Sequence, residues 1–156
     1  MMPIAQAVGK INLTLLELVP RRGVILQTGE EVYIGEGKRD KIYYILGRLK
    51  REKLTEAAKN QLQEFVAKIV GENEKRFVDF FNKAEAINKR MHQIELLSGM
   101  GKKHMKEILE RRDEQAFESF EDMKKRIPNL PDPEKAIQKR IMQELTNIER
   151  YNLFAQ

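Results

Sequence analysis

Two hydrophobic patterns divide the chain. Between residues 11 and 37, short apolar runs are cut by Gly and Pro. Ile11 to Val19 ends at Pro20, and Val24-Ile25-Leu26-Gln27 is followed by Thr28-Gly29-Glu30 and then by Val32-Tyr33-Ile34. Runs of this length and punctuation predict a small antiparallel sheet or barrel. Residues 41–54 fit two periods. Ile42, Ile45, Leu46 and Leu49 suit a helix, Tyr43, Ile45 and Leu49 a strand, and the helix is slightly favoured. Beyond Thr55, read as an N-cap, apolar residues recur at helical intervals. Ala58, Leu62, Phe65 or Val66 and Ile69 share one face of a helix broken near Gly71. Phe77, Phe80, Phe81 and Ala84 share a face of the next. Phenylalanines at that spacing belong to a core rather than to a base-stacking platform.

From about residue 86 the pattern changes to short helices joined by tight turns. Helices are expected over Asn88–Leu97 and Lys102–Arg112, on either side of Ser98-Gly99-Met100-Gly101. Ser119 should cap a third helix, Phe120 to Ile127. Pro128-Asn129-Leu130-Pro131-Asp132-Pro133 is the next turn, and Pro133 opens a last helix reaching about Arg150. Two helix–turn–helix pairs in succession form a weak internal repeat. The apolar tail around Tyr151, Leu153 and Phe154 is expected to dock on the core.

Charge adds information because it is uneven. The net charge is +5. Residues 36–53 hold seven basic and three acidic side chains, and residues 99–112 hold five and two. Residues 54–98 between them hold seven of each. Two separate basic patches suit a polyanion. Other chemistry is sparse. There is no cysteine, which excludes disulfides, thiolate metal sites and cysteine nucleophiles. No stretch approaches the roughly 18 apolar residues of a membrane span, and the start MMPIAQAVGK lacks the apolar region of a leader. A soluble, cytoplasmic protein without membrane partners is the expectation. His92 and Glu95 have ligand-like spacing but no second pair, so His92 is expected to be an ordinary helix residue. No phosphate loop, nucleophile elbow or paired acid site is visible. No catalytic residue, metal or cofactor is therefore expected, and an enzyme is the weaker hypothesis.

The run Leu96-Leu97-Ser98-Gly99-Met100-Gly101-Lys102-Lys103 carries the strongest candidate chemistry. Two glycines permit close approach, and the amides of Gly101, Lys102 and Lys103 lie at a helix start with no intrahelical partner. The helix dipole and the lysines add positive potential, which suits a phosphate of DNA or RNA without reading any base. A simple helix-terminating glycine is the competing interpretation. The candidate contacts are Gly99, Gly101, Lys102, Lys103 and Lys106, joined by Lys38, Arg39, Lys41, Arg48, Lys50 and Arg51 of the first patch.

The glycine turn and its flanks resemble the helix-hairpin-helix motif of DNA repair and recombination proteins. That resemblance places Gly99, Gly101, Lys102 and Lys103 against the phosphodiester backbone of duplex DNA. The second turn departs from the motif. Asn129-Leu130-Pro131 replaces glycine–apolar–glycine, Pro131 has no N–H, and Asp132 would repel a phosphate. It is expected to be a structural mate.

A wider resemblance covers nearly the whole chain. LLELVP, GEEVYIGEGKRDKI, LTEAAK, NEKRFVDFFNKA, LLSGMGKK, SFEDMKKRI and KRIMQEL follow the order seen in an archaeal family of nucleotide-binding label, domain of unknown function 655. It implies an α+β protein with a small OB-like β domain followed by an all-α tandem helix-hairpin-helix domain. The expected division is 1–55 (β), 56–85 (helical connector) and 86–156 (tandem hairpins). Members of the family carry a further strand-forming stretch ahead of Ile4-Ala5-Gln6-Ala7, so an open sheet edge is expected here. In an OB-like domain Tyr33, Tyr43 and Tyr44 are candidate stacking residues, with Lys38, Arg39 and Lys41 on the strand backbone.

The resulting expectation is a non-catalytic protein that binds a DNA or RNA backbone independently of sequence, its contact surface joining the first hairpin to residues 38–53. The alternatives are a protein-interaction module of a ribosome- or repair-associated complex, a mononucleotide binder, or an accessory part of a nuclease or ligase.

Overall fold

The computed structural model describes residues 3–156. It is a mixed α+β structure. Three strands, β1 (Ala5–Val8), β2 (Leu15–Pro20) and β3 (Ile42–Arg48), form an antiparallel sheet in the order β1-β2-β3. Five α-helices follow among the described residues: α1 (Glu56–Glu72), α2 (Glu74–Lys83), α3 (Lys102–Glu114), α4 (Phe120–Arg126) and α5 (Pro133–Thr146). No helix among them is long and apolar enough to cross a membrane. Contacts divide the chain into two compact units, Met1–Phe65 with Glu144–Gln156, and Val66–Gln143. The last residues therefore group with the sheet rather than with the hairpins.

In the β unit, residues 41–54 are not the helix that was slightly favoured. Residues 42–48 pair with β2, and a single 3-10 turn, Arg51–Lys53, follows. The helical spacing of Ile45, Leu46 and Leu49 comes from two irregularities of register. Ile45 and Gly47 face Leu18 and Glu17, while Ile42 and Tyr44 face Pro20 and Val19. Leu46 and Tyr43 are the extra residues, and each is exposed, at 47% and 63%. Bulges of this kind twist an edge strand and blunt it against further pairing. The opposite edge is β1, whose weak AQAV pattern gave no sequence signal.

The strands expected at 24–27 and 32–34 are also absent, and residues 21–41 make one long loop. Its ends are joined by the Arg21 N–H donating to the Lys41 carbonyl at 2.8 Å. Inside it, the Tyr33 ring lies over Gly35, where a Cβ would stand 2.3 Å from the phenol oxygen. That oxygen accepts the Gly37 N–H at 3.1 Å. A tyrosine folded onto its own glycines cannot extend into a ladder.

Thr55 caps α1 as expected, its hydroxyl accepting the Ala58 N–H at 3.1 Å. The helix runs past Gly71 to Glu72. The tail docks. Glu144, with no exposed surface, accepts the N–H groups of Leu153, Phe154 and Ala155, each at 2.9 Å. The Gln156 N–H reaches the Asn12 carbonyl at 3.1 Å.

In the helical unit Phe77 and Phe81 are buried core residues beside Val78, and Phe80 packs edge-on against Phe81. Ser119 caps α4, its hydroxyl accepting the Asp122 N–H at 2.9 Å. The last helix stops at Thr146, short of Arg150. The expected helix over Asn88–Leu97 does not form. A tight turn occupies residues 87–91, and only Gln93–Leu96 winds, as one 3-10 turn. Asn88 starts the turn, its side-chain oxygen accepting the Arg90 N–H at 2.8 Å, a local bond that competes with helix.

A candidate phosphate-binding turn

The turn begins with the Met100 N–H donating to the Leu97 carbonyl at 3.1 Å. Gly99, with φ of 80°, occupies the third position, where a type II turn needs a left-handed residue. Leu97 and Met100 are buried on either side of it and fasten the turn to the core. The second turn repeats this backbone. The Leu130 N–H donates to the Ile127 carbonyl at 3.3 Å, and Asn129 takes φ of 64° in the place of Gly99. Asparagine is the side chain that tolerates this region best. The two turns touch, because a Cβ on Gly99 would stand 3.7 Å from the Pro131 ring. The second turn therefore packs on the first.

Gly101 is different. Its φ of −98° and ψ of −166° suit any residue, and no atom lies within 4 Å of where its Cβ would be. It is the N-cap of α3, whose first helical bond runs from the Met105 N–H to the Gly101 carbonyl at 3.0 Å. The amides of Gly101, Lys102 and Lys103 precede that bond, beneath open space. Lys103 and Lys106 are exposed, with no ion pair among the described residues.

Lys102 has another task. Its Nζ donates to Glu95 Oε1 and to the Arg90 carbonyl, both at 3.0 Å. Glu95 in turn accepts the His92 N–H at 2.7 Å, while His92 Nδ1 accepts the Ile94 N–H at 3.1 Å. The pair His92/Glu95 is thus a reciprocal cap of the 3-10 turn, not a metal site, and His92 is buried. Among the described residues no group of three or more His, Asp or Glu could hold a metal ion. Arg112, at the other end of α3, donates to the Phe81 and Ala84 carbonyls at 3.0 and 2.8 Å. Arg111 pairs with Glu114 rather than with Glu107.

This cap is sensitive to acid. Burial holds the His92 imidazole below its ordinary 6.5, the charge of Arg112 lowers it further, and Glu95 opposes them in part. The His92 N–H and then Lys102 hold the Glu95 carboxyl below its usual 4.5. Both groups bind protons more readily in the unfolded chain. Their contribution to stability is complete above pH 6.5 and is lost on acidification, through His92 first and through Glu95 below pH 4.5. Urea unfolding between pH 8 and 4 should show both losses. His92→Asn, which keeps a capping acceptor without a titrating ring, should abolish the first.

The six basic residues of the first patch lie in the β unit and are not equivalent. Arg39 donates to the Gly35 carbonyl at 2.8 Å, and Lys41 is ion-paired with Glu30. Arg51 donates to the Glu144 carbonyl through Nε and Nη2, at 3.2 and 3.0 Å. Lys38, Arg48 and Lys50 are exposed, and no side-chain partner is found for them among the described residues. Of the three tyrosines, Tyr33 is folded on its loop, Tyr44 is half-buried, and Tyr43 is the exposed bulge residue 5.1 Å from Tyr44.

Residues 1–156 match the family model described as Protein of unknown function (DUF655). The chain belongs to the DUF655 family. An archaeal relative, the uncharacterized protein MJ0038 of Methanocaldococcus jannaschii, is 42% identical over 154 residues, 97% of this chain and 70% of the relative. The crystal structure of Af1531 from Archaeoglobus fulgidus, also DUF655, superposes with a TM-score of 0.87 at 46% identity, covering 99% of this chain and 86% of that one. The printed descriptions of these DUF655 proteins assign no activity.

Proposed function

We propose that this protein binds the phosphate backbone of nucleic acid through the turn at Gly99–Gly101, without reading bases and without catalysis. The observation that carries this reading is Gly101. Nothing within the fold asks for glycine there, neither its dihedral angles nor its surroundings. A bare backbone at a helix N-terminus, with open space above it and Lys103 and Lys106 beside it, suits a phosphate oxygen accepting amide hydrogens. In this reading the two turn–helix units are a tandem helix-hairpin-helix in which the first is competent and the second structural. The three-stranded sheet is its OB-like part. Lys38, Arg48 and Lys50 then offer the β unit's own contribution, since Arg39, Lys41 and Arg51 are engaged elsewhere.

Labelled duplex DNA, single-stranded DNA and structured RNA, titrated over a range of salt, test the reading. Binding should weaken with log[salt] by about 0.9 in slope per duplex phosphate contacted. Lys103→Ala/Lys106→Ala should lower that slope by about two and weaken binding by a similar factor for every sequence. No binding at low salt would overturn the proposal. Saturation by free nucleotide with little salt dependence would favour a mononucleotide site instead.

A further inference from the structure

The turn at residues 87–91 is a rigid basic point placed beside the glycine turn. The Ile87 and Asn88 N–H groups both donate to the Met91 carbonyl, at 2.8 and 3.1 Å. Ala86 bridges to His92, the Gln93 N–H reaches the Glu85 carbonyl at 3.0 Å, and the Glu85 N–H reaches the Gln93 side chain at 2.9 Å. At its tip Lys89 and Arg90 are exposed, with no partner for either side chain among the described residues. Lys102 ties this tip to α3. Its Nζ sits 3.0 Å from the Arg90 carbonyl, and its own amide is one of those offered beside Gly101. Residues 85–106 hold five basic side chains and two acidic ones, and one of the two, Glu95, is bonded to Lys102. What remains facing solvent on both sides of Gly101 is positive.

We propose that Lys89 and Arg90 form a second phosphate contact, so that the helical unit alone holds two neighbouring points of one nucleic-acid backbone. The proposal rests on the phosphate reading of the glycine turn. Lys102 is then a positioning residue. Its charge bridges Glu95 and the Arg90 carbonyl, and the contact passes to the guanidinium of Arg90, which can donate two parallel hydrogen bonds to a phosphate. A main-chain grip at Gly101 flanked by cations on each side fixes the direction of the backbone as well as its distance.

The test uses the full chain with a labelled 20-base-pair DNA duplex, followed by fluorescence anisotropy from 50 to 300 mM salt. Lys89→Ala/Arg90→Ala should lower the salt slope by about two and weaken binding roughly tenfold or more at low salt. Its melting temperature should match the parent. Arg90→Lys should restore the slope but only part of the affinity. Lys124→Ala/Lys125→Ala, an exposed basic pair on α4, is the control for net charge. An equal loss in that control overturns the proposal. So does an unchanged slope in Lys89→Ala/Arg90→Ala while Lys103→Ala/Lys106→Ala still loses affinity, which leaves the glycine-turn reading intact. Absence of binding by the parent removes both.

Discussion

Replacing Glu144 with alanine should destabilise the protein by about 3 kcal/mol and release its C-terminal tail. The carboxylate has no exposed surface and collects three consecutive tail amides at 2.9 Å. Hydrogen bonds to a charged acceptor contribute more than neutral ones, and the three donors lose their partner together. Part of the loss is recovered because a released tail rehydrates, which keeps the figure below the sum of three orphaned donors. Glu144→Gln, with one acceptor oxygen left, should lose roughly half as much. Urea titration should show a lower midpoint, and limited proteolysis should cut at exposed Arg150 in the alanine variant before the remainder of the chain. A melting temperature within 1 °C of the parent would mean that the tail docks through its apolar side chains alone. Arg51 is a separate anchor, because it holds the Glu144 carbonyl rather than the carboxylate.

These contacts mark where sequence legibility ends. Thr55 and Ser119 were readable as caps because their partners lie three residues away, within the reach of a local pattern. Gly99 was readable because a left-handed position leaves a glycine in the sequence. Asn129 follows the same rule less visibly, and the second turn was expected to differ more than its backbone does. Strand β3 was misread because its bulges place Leu46 and Ile45 at spacings a helix also uses. Only pairing with Leu18 and Val19, more than 20 residues away, decides between them.

The two sides of the candidate site were unequally visible for a similar reason. Lys103 and Lys106 stand next to the glycines in sequence. Lys89 and Arg90 lie in a segment whose charges cancel on average, and the fold separates them from most of the carboxylates that cancel them. His92 and Glu95 did carry a signal. Their i, i+3 spacing is that of a capping box, with an imidazole nitrogen in place of a hydroxyl, but it is also the spacing of a metal ligand pair. Arg39, Lys41 and Arg51 look alike as surface cations in a sequence. Their commitments to Gly35, Glu30 and Glu144 depend on chain folding at distances a window cannot reach.

Arg126→Ala should cost about 2–3 kcal/mol, through the end of α3 rather than through α4, to which the residue belongs. Its guanidinium donates to the carbonyls of Arg111 and Gln115 at 2.6 and 2.7 Å and reaches that of Ala116 at 3.3 Å. It also pairs with Asp122 at 3.2 Å and lies 4.6 Å above the centre of the Phe117 ring. The last carbonyls of a helix have no partner of their own, so losing this fork exposes α3 where it turns toward α4. Arg126→Lys keeps the charge but not the planar fork, and should recover less than half of the loss. The functional consequence separates this residue from the phosphate contacts. α3 begins at Gly101, so loosening its far end should shorten the temperature range over which the protein binds DNA. The salt slope measured below the melting transition should stay at the parent value, because no phosphate partner has been removed. A lower slope in Arg126→Ala at a temperature where the chain is fully folded would place the guanidinium at the nucleic acid instead of at the end of the helix.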